Sequence, residues 1–381
     1  MRILGINRDE SSCDMYRITQ PLYKLLENGM ANILTIKEGA ELGTDFALQK
    51  VMESDIILVH RPASEEWFKF IKTCRKYGKT IVVDYDDDPF NTSPLNPYYQ
   101  FIGTEEVEFA WPDGKREMLW SKNPMEHGGR YLDIETNIRR RDLFRASFKN
   151  ADMVSTTTDI LRAKLATINP NTVTLPNLID FQQYPIVEHM KRRIRLGWQG
   201  GASHYEDLYM MAPAIKKILK KYDNVDFVFW GDLRMYGLFR DIPMERVECH
   251  QWVKQICYPY KLACLNLDIG LCPIIDNEFN RNKSAIKWME YSVVKAATVA
   301  SNIPPYSKVI TDGQTGILTD ADGWFDAIER LVLDKDLRER MGVQAHDEVH
   351  TNHNADTNCG LWLNAYEKLL KREVSKELVG A

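Results

Sequence analysis

The chain has 381 residues, 44% of them hydrophobic and 27% charged, a size and composition that fit two domains with real cores and exclude a disordered tail. Its 49 Lys and Arg against 54 Asp and Glu give a formal charge of −5, so affinity for nucleic acid or an acidic membrane would have to come from local basic patches. No apolar run reaches the roughly 18 residues that cross a bilayer, MRILGINRDESSC does not read as a signal peptide, and seven cysteines without a C-x-x-C pair exclude a disulfide frame or zinc site and indicate a reducing cytoplasm.

In chain order, Arg2–Ile6 predicts a first strand, and a helix follows around Ile18–Asn28. Asp55–Val59 and Thr80–Asp84 predict two more strands, separated by the amphipathic segment Ser64–Tyr77. Short apolar runs alternating with helices imply crossover units and a mostly parallel sheet. From Phe101 to Asn137 the rhythm breaks. Apolar residues flank Pro112-Asp113-Gly114, a turn signal, which predicts a β-hairpin inserted on the first sheet. The Arg-rich NIRRRDLFRASFKNA (137–151) is helical in pattern, Met153–Thr156 a strand, Asp159–Leu165 a short helix and Val173–Leu175 a strand. Polar Asp180–Arg193, with Pro185 and no apolar periodicity, is the expected linker.

The alternation then restarts. Strands are predicted at Arg195–Trp198, Val225–Phe229, Leu267–Leu271 and Thr298–Ser301. Helices are predicted at Tyr205–Tyr222, Ser284–Val294, Gly323–Leu333 and Asp336–His350. The implied fold class is α/β, with two Rossmann-like doubly wound domains and a cleft between them, where ligands sit at the carboxyl ends of the strands. The expected divisions are 1–185, 186–355 and a C-terminal helical segment, 356–381.

Four places carry chemistry. After the strand ending at Trp198 come Gln199, Gly200, Gly201, Ala202, Ser203 and His204. Two glycines let the backbone approach a ligand, and free amides at the following helix favour an anion. Ser203 also reads as an N-cap with Glu206 completing a capping box; a plain tight turn is the alternative. The segment is neither G-x-G-x-x-G nor a P-loop. Lys283, Lys287 and Glu290, spaced by four and three, are expected on one helix face, with Lys283 at its start; a solvated charged face is the alternative. Asp84, Asp86, Asp87 and Asp88 follow a strand end and suggest a metal cluster, an acid or base, or a capped loop. His60 and Arg61 follow another strand end. We take His60, Asp86 and Asp87 as candidate catalytic groups, and Cys13, Tyr16, Arg17 and Arg61 as candidate acceptor contacts.

In the order of their motifs, these pieces resemble the GT-B glycosyltransferases, in particular the large retaining, glycogen-synthase-like superfamily. The resemblance rests on the Gly200–His204 loop, VDFVFWGD (225–232), LDIGLCPI (267–274), FNRNKSAIKWMEY (279–291), TVAS (298–301) and PPYSKVITDGQTGILTD (304–320). ADMVSTTTDILRAKL and VTLPNLID (173–180) resemble the end of that family's first domain. The resemblance implies transfer, with retention, of a sugar from a nucleotide-sugar, UDP- or GDP-linked, with neither a metal nor a permanently bound cofactor. Glu290 would hold the donor ribose. Lys283, with Ser203, His204 and the Gly200-Gly201 amides, would meet the diphosphate beside Ser284 and Lys287, and the base would lie near Trp252-Val253. The C-terminal helix would cross back to the first domain. Asn282 stands where the family has its first glutamate, and Lys295 and Ala297 replace a Gly and a Pro.

The inserted hairpin and Asp-rich loop resemble glycosyltransferases of tailed bacteriophages, some of which modify hydroxymethylated DNA bases in the host cytoplasm. NIRRRDLFRASFK and MKRRIR are the candidate phosphate contacts for such an acceptor. A glycan or a lipid-linked sugar is the other acceptor class. A nucleotide-sugar epimerase or hydrolase, or a non-catalytic nucleotide-sugar-binding protein, are the rival functions.

Overall fold

A computed structural model describes residues 1–7, 11–37, 43–111, 114–187 and 193–379. The first half is built on a six-stranded parallel sheet. Its strands are β1 (Arg2–Asn7), β2 (Asn32–Lys37), β3 (Ile56–His60), β4 (Thr80–Tyr85), and, after an insertion, β8 (Met153–Thr156) and β9 (Thr172–Thr174), in the order β2-β1-β3-β4-β8-β9. Every residue of β3 and β4 is buried, as suits apolar runs covered by helices on both faces. β2 and the helix Asp45–Glu53 have no counterpart in the sequence reading. As the edge strand β2 buries little, so NILTIK lacks the continuous apolar run that marks its neighbours.

The insertion is β5 (Val107–Ala110), β6 (Arg116–Ser121) and β7 (Arg130–Tyr131). The hairpin forms, with Phe109 opposite Glu117, but it does not extend the first sheet. β4 is already paired on both sides, to β3 and β8, so the inserted strands form their own three-stranded sheet. Tyr99, Leu119, Trp120 and Leu132 give it a small separate core. Pro112 and Asp113 lie outside the described residues.

The second half repeats the plan with β10 (Ile194–Gly200), β11 (Val225–Gly231), β12 (Val247–His250), β13 (Ile269–Cys272), β14 (Ala297–Ser301) and β15 (Ile317–Thr319). These are parallel in the order β12-β11-β10-β13-β14-β15. In each sheet the strand order reverses beside the first strand, between β1 and β3 and between β10 and β13. These switch points are where such sheets leave a crevice for ligand.

The helix expected over Ser284–Val294 forms as Ile286–Val293, and a separate short helix, Glu278–Arg281, precedes it. Asn277 caps the first by accepting from the Asn280 amide at 2.8 Å. Asn282 breaks the chain there, its amide donating to the Glu278 carbonyl at 2.7 Å. The chain passes between the halves twice at one place, with Ile179 N donating to His353 O at 2.7 Å and Ala355 N to Ile179 O at 2.8 Å. From there helix Gly360–Val379 buries Trp362, Tyr366 and Leu369 against Ile3, Ile18 and Leu22 of the first half. Among the described residues no helix is long and apolar enough to cross a membrane.

Candidate active site

A cavity of about 670 Å³ lies between the two switch points, with walls from both halves. Gly200 ends β10, and a Cβ there would meet the Trp198 ring at 2.5 Å, so the strand can turn into the cavity only without a side chain. Ala202–His204 form a single 3-10 turn before helix Tyr205–Lys221. The expected capping box is absent. The residue at the N-cap is His204, which makes no side-chain cap, and the Glu206 carboxylate accepts from Ser93 Oγ of the other half. Gly200, Gly201, Ser203 and His204 all line the cavity.

His204 Nδ1 lies 2.7 Å from Asp207 Oδ2. Burial, then the Lys287 and Lys283 charges, pull the His204 pKa down to about 3. Burial acts to raise Asp207, yet its hydrogen bond with His204 and the nearby cations keep it below the usual carboxylate range. The imidazole is therefore neutral, donates Nδ1–H to Asp207 and keeps Nε2 as an acceptor.

Lys287 and Glu290 share helix Ile286–Val293, whereas Lys283 and Ser284 sit in the break before it; all four line the cavity. Lys287 Nζ is buried with no hydrogen-bond partner among the described residues and stands 5.6 Å from the Trp198 ring centre. Burial, reinforced by the Lys283 charge against the pull of Asp207, lowers it to about 8. Lys283 Nζ lies 4.9 Å from the Phe279 ring centre and makes no ion pair among the described residues. Two cations without an ion pair among the described residues thus lie on one wall.

Glu290 is 5% exposed and fully engaged. Oε1 accepts from Tyr16 OH at 2.7 Å and Oε2 from Gln199 Nε2 at 2.8 Å. The Tyr258 hydroxyl, with one proton to give, lies 2.8 Å from Glu290 Oε2 and also reaches Gln199 Oε1. Burial raises Glu290, and these hydrogen bonds oppose it without cancelling it. Tyr16, on the π-helical turn Met15–Thr19, belongs to the first half yet packs among second-half core residues. Trp252 is half exposed, 5.9 Å from Trp230, which stacks on Tyr258 at 4.8 Å. Val253 packs against the core and does not line the cavity.

The opposite wall carries Cys13, Tyr16, Arg17, Arg61, Asp86 and Asp87. Burial, then the Asp86 charge, pushes the Cys13 thiol well up, so it is no nucleophile. Arg17, expected to contact an acceptor, has its guanidinium taken. Nε and Nη2 donate to Asp84 at 2.9 and 2.7 Å, and Nη1 to the Leu175 carbonyl at 2.5 Å and Asn177 Oδ1 at 3.1 Å. Arg61 sits at φ 48° and grips both aspartates, Nε on Asp86 Oδ1 and Nη2 on Asp87 Oδ2 at 2.9 Å. Burial acts to raise Asp86, but Arg61 and His60 outweigh it and hold the carboxyl well below the usual range. Burial and the Asp86 charge leave Asp87 raised. The two neighbours are split into a firm anion and a carboxyl that takes a proton more readily.

His60, expected to be catalytic, does not line the cavity. It is 3% exposed, with Nδ1 2.5 Å from Asp14 Oδ1 and Nε2 3.3 Å from Asp86 Oδ1, so the imidazole links Asp14 to Asp86. Asp88 pairs with Lys164 Nζ at 2.5 Å. The aspartates of this loop are thus engaged by Arg61, His60 and Lys164, and no group of three or more His, Cys, Asp or Glu among the described residues is arranged to hold a metal. The sequence reading gives no role to Gln199, Asp207 or Tyr258. Gln199 adjoins the glycine pair and was legible there; nothing local to YPYKLAC marks Tyr258.

The family model described as "Glycosyl transferases group 1" matches residues 193–334, less than half of the chain. No curated protein sequence matches it. Among solved structures, sucrose-phosphate synthase from Thermosynechococcus elongatus is similar at TM-score 0.65 and 12% identity, covering 98% of this chain and 100% of that one. Anabaena Alr3699/HepE in complex with UDP-glucose is similar at 0.62 and 12%, covering 98% and 100%. TarM is similar at 0.58 and 13%, covering 82% of this chain and 54% of that one, so the chain spans about half the length of TarM. At these identities the likeness speaks for the fold, and the family match speaks for the second domain. The chain therefore has the two-domain GT-B fold of these structures, and residues 193–334 match the group 1 glycosyl transferases.

Proposed function

We propose that the protein moves a sugar from a nucleoside-diphosphate sugar to a hydroxyl of a glycan, with retention and with the diphosphate as leaving group. The observation that carries this is the unpaired Lys287 ammonium, buried beside Lys283 and the Gly200–His204 turn. A buried cation without a partner is a standing cost that an anionic ligand removes. As the bond to the sugar breaks, charge develops on the diphosphate, and Lys283 and Lys287 are already in place to meet it. His204, held neutral, offers Nε2 to a sugar hydroxyl. Glu290 takes the ribose diol once Tyr16 or Tyr258 yields, and Trp252 offers a face to the base. A uridine nucleotide is our preferred donor, supported by the UDP-glucose complex of the similar HepE structure.

In this reading, residues 1–185 carry the acceptor side, 186–355 the donor side and 356–381 the returning helix. Asp87 is the group placed to take the acceptor's proton, because its raised pKa brings its basicity nearer neutrality, while Arg61 and Asp86 position it. A DNA acceptor is disfavoured by the use already made of the basic segments. Arg139 pairs with Glu135, Arg145 with Asp142, Arg193 with Asp226 and Arg195 with Glu248. Lys191 and Arg192 lie outside the described residues. Donor binding without transfer is the second reading. It rests on Asn282, which bonds to Asp88 at 3.3 Å where the resembling family has a glutamate.

The test is calorimetry with UDP-glucose and GDP-mannose on wild type, Lys287→Ala and Glu290→Ala, followed by product analysis with a glycan acceptor and assignment of the anomeric configuration. Binding of one donor that both substitutions weaken at least about tenfold supports the site. Equal binding by all three proteins overturns it, and tight binding without any product favours the second reading.

A further inference from the structure

A second cavity, of about 510 Å³, adjoins the main one, since Phe279 forms part of both walls. It lies between the loop that follows β4, the start of the inserted segment and the second half's Asn277–Phe279. Nothing in the donor or transfer chemistry above uses it. Two polar atoms of its lining residues are buried without a hydrogen-bond partner among the described residues, Arg141 Nε and Thr92 Oγ1. Arg141 Nη1 is held by Thr104 Oγ1 at 3.0 Å, and Thr104 also lines the cavity, so the guanidinium is fixed while Nε is left over. Buried unpaired donors of this kind call for a partner.

The charge around it selects the partner. Glu105, Glu206 and Glu278 line the cavity against Arg141 alone. Lys164 answers Glu278 at 2.5 Å, and Ser93 donates to Glu206. A phosphate or sulfate chain would meet these carboxylates at close range. A neutral polyol instead donates its hydroxyls to them and accepts from Arg141 and Thr92, with Phe90 and Phe279 as apolar wall.

We propose that this second cavity seats the non-reacting residues of the acceptor, a neutral oligosaccharide that runs from the reacting hydroxyl in the main cavity past Phe279 to Arg141. The proposal rests on the glycosyl-transfer reading above and names the acceptor class for it. It assigns Thr92 and Arg141, which flank the inserted segment in sequence, to acceptor selection.

The experiment is retention of the full-length protein, with UDP present, on an array of neutral tri- to hexasaccharides, sulfated oligosaccharides and a DNA duplex, followed by titration of the best-retained probe. Wild type is compared with Arg141→Gln and with Thr92→Val, a near-isosteric change that keeps the fold testable should Arg141→Gln unfold. A neutral oligosaccharide is expected to be retained, with its affinity falling about tenfold in either variant and UDP affinity unchanged. Equal affinity in Thr92→Val and wild type, retention of only sulfated chains or DNA, or retention of nothing by a protein that binds UDP overturns the proposal. Failure of wild type to bind UDP or any nucleotide-sugar overturns the donor reading, and the oligosaccharide comparison is then read on its own.

Discussion

Burying an ammonium without a hydrogen-bond partner destabilises a fold, and Lys287, unpartnered among the described residues, shows that cost at the wall of the main cavity. Its pKa, lowered to about 8 from an ordinary value of 10.5, gives the sign. The folded state holds this proton less tightly than the unfolded chain does. The penalty is therefore complete below pH 8 and fades as pH rises from there toward the ordinary lysine value. Lys287→Met should thus stabilise the unliganded protein at pH 7 by on the order of 2–3 kcal/mol and raise Tm, while removing the stabilisation that UDP-glucose confers on wild type. A lowered Tm, or an undiminished ligand effect, would count against the residue's role. Donor affinity in wild type should weaken as pH rises through 8, where the ammonium is lost, and titration calorimetry at pH 7 and 9 reads this. Arg17 is the contrary case, a buried cation fully paired. Arg17→Ala strands Asp84 and should cost about 3–5 kcal/mol in urea unfolding with no specific effect on donor binding.

Among the elements, the π-helical turn Met15–Thr19 carries Tyr16, whose hydroxyl reaches across the cleft to Glu290. If the ribose is to use that carboxylate, the Tyr16 bond competes with it. Tyr16→Phe should tighten nucleotide-sugar binding severalfold, measured by calorimetry, whereas weaker binding would mean that Tyr16 contributes to the bound state. The inserted three-stranded sheet is an element of a different kind, with its own small core around Trp120. Trp120 is 2% exposed, and its indole N–H donates to the Pro94 carbonyl at 2.5 Å. Trp120→Ala should cost about 3–5 kcal/mol locally. Because that core is separate, protease sensitivity within 105–132 should increase while UDP binding persists.

At the level of the whole molecule the two halves are drawn together along the cleft. Lys164 bridges Asp88 of its own half and Glu278 of the other, Thr158 donates to the Asn282 carbonyl at 3.0 Å, and Asn177 donates to Ser284 Oγ at 3.0 Å. Each contact is partly exposed and worth about 1 kcal/mol or less, so closure is the sum of several weak bonds and is easily shifted. Lys164→Met should increase the radius of gyration seen by solution X-ray scattering, and saturating UDP-glucose should bring it back toward the wild-type value. An unchanged radius would show that the remaining contacts suffice.

The repeated strand–helix alternation, the cleft between two doubly wound halves and the glycine turn after β10 were all legible in the sequence. Burial on both faces writes itself into a strand as an apolar run such as IILV in β3 or IVV in β4, and backbone approach requires glycine locally. Which partner a charged or polar side chain takes is not written that way. Arg17 lies 67 positions from Asp84, Tyr16 lies 274 from Glu290, and the Lys164–Glu278 contact spans 114. The same holds for the break that takes Lys283 off the helix of Lys287, and for the inserted sheet, which depends on β4 being paired already on both sides. Periodicity reports the environment that a residue shares with its whole element. A hydrogen bond depends on one atom at one distance, and only the tertiary structure decided which atom that is.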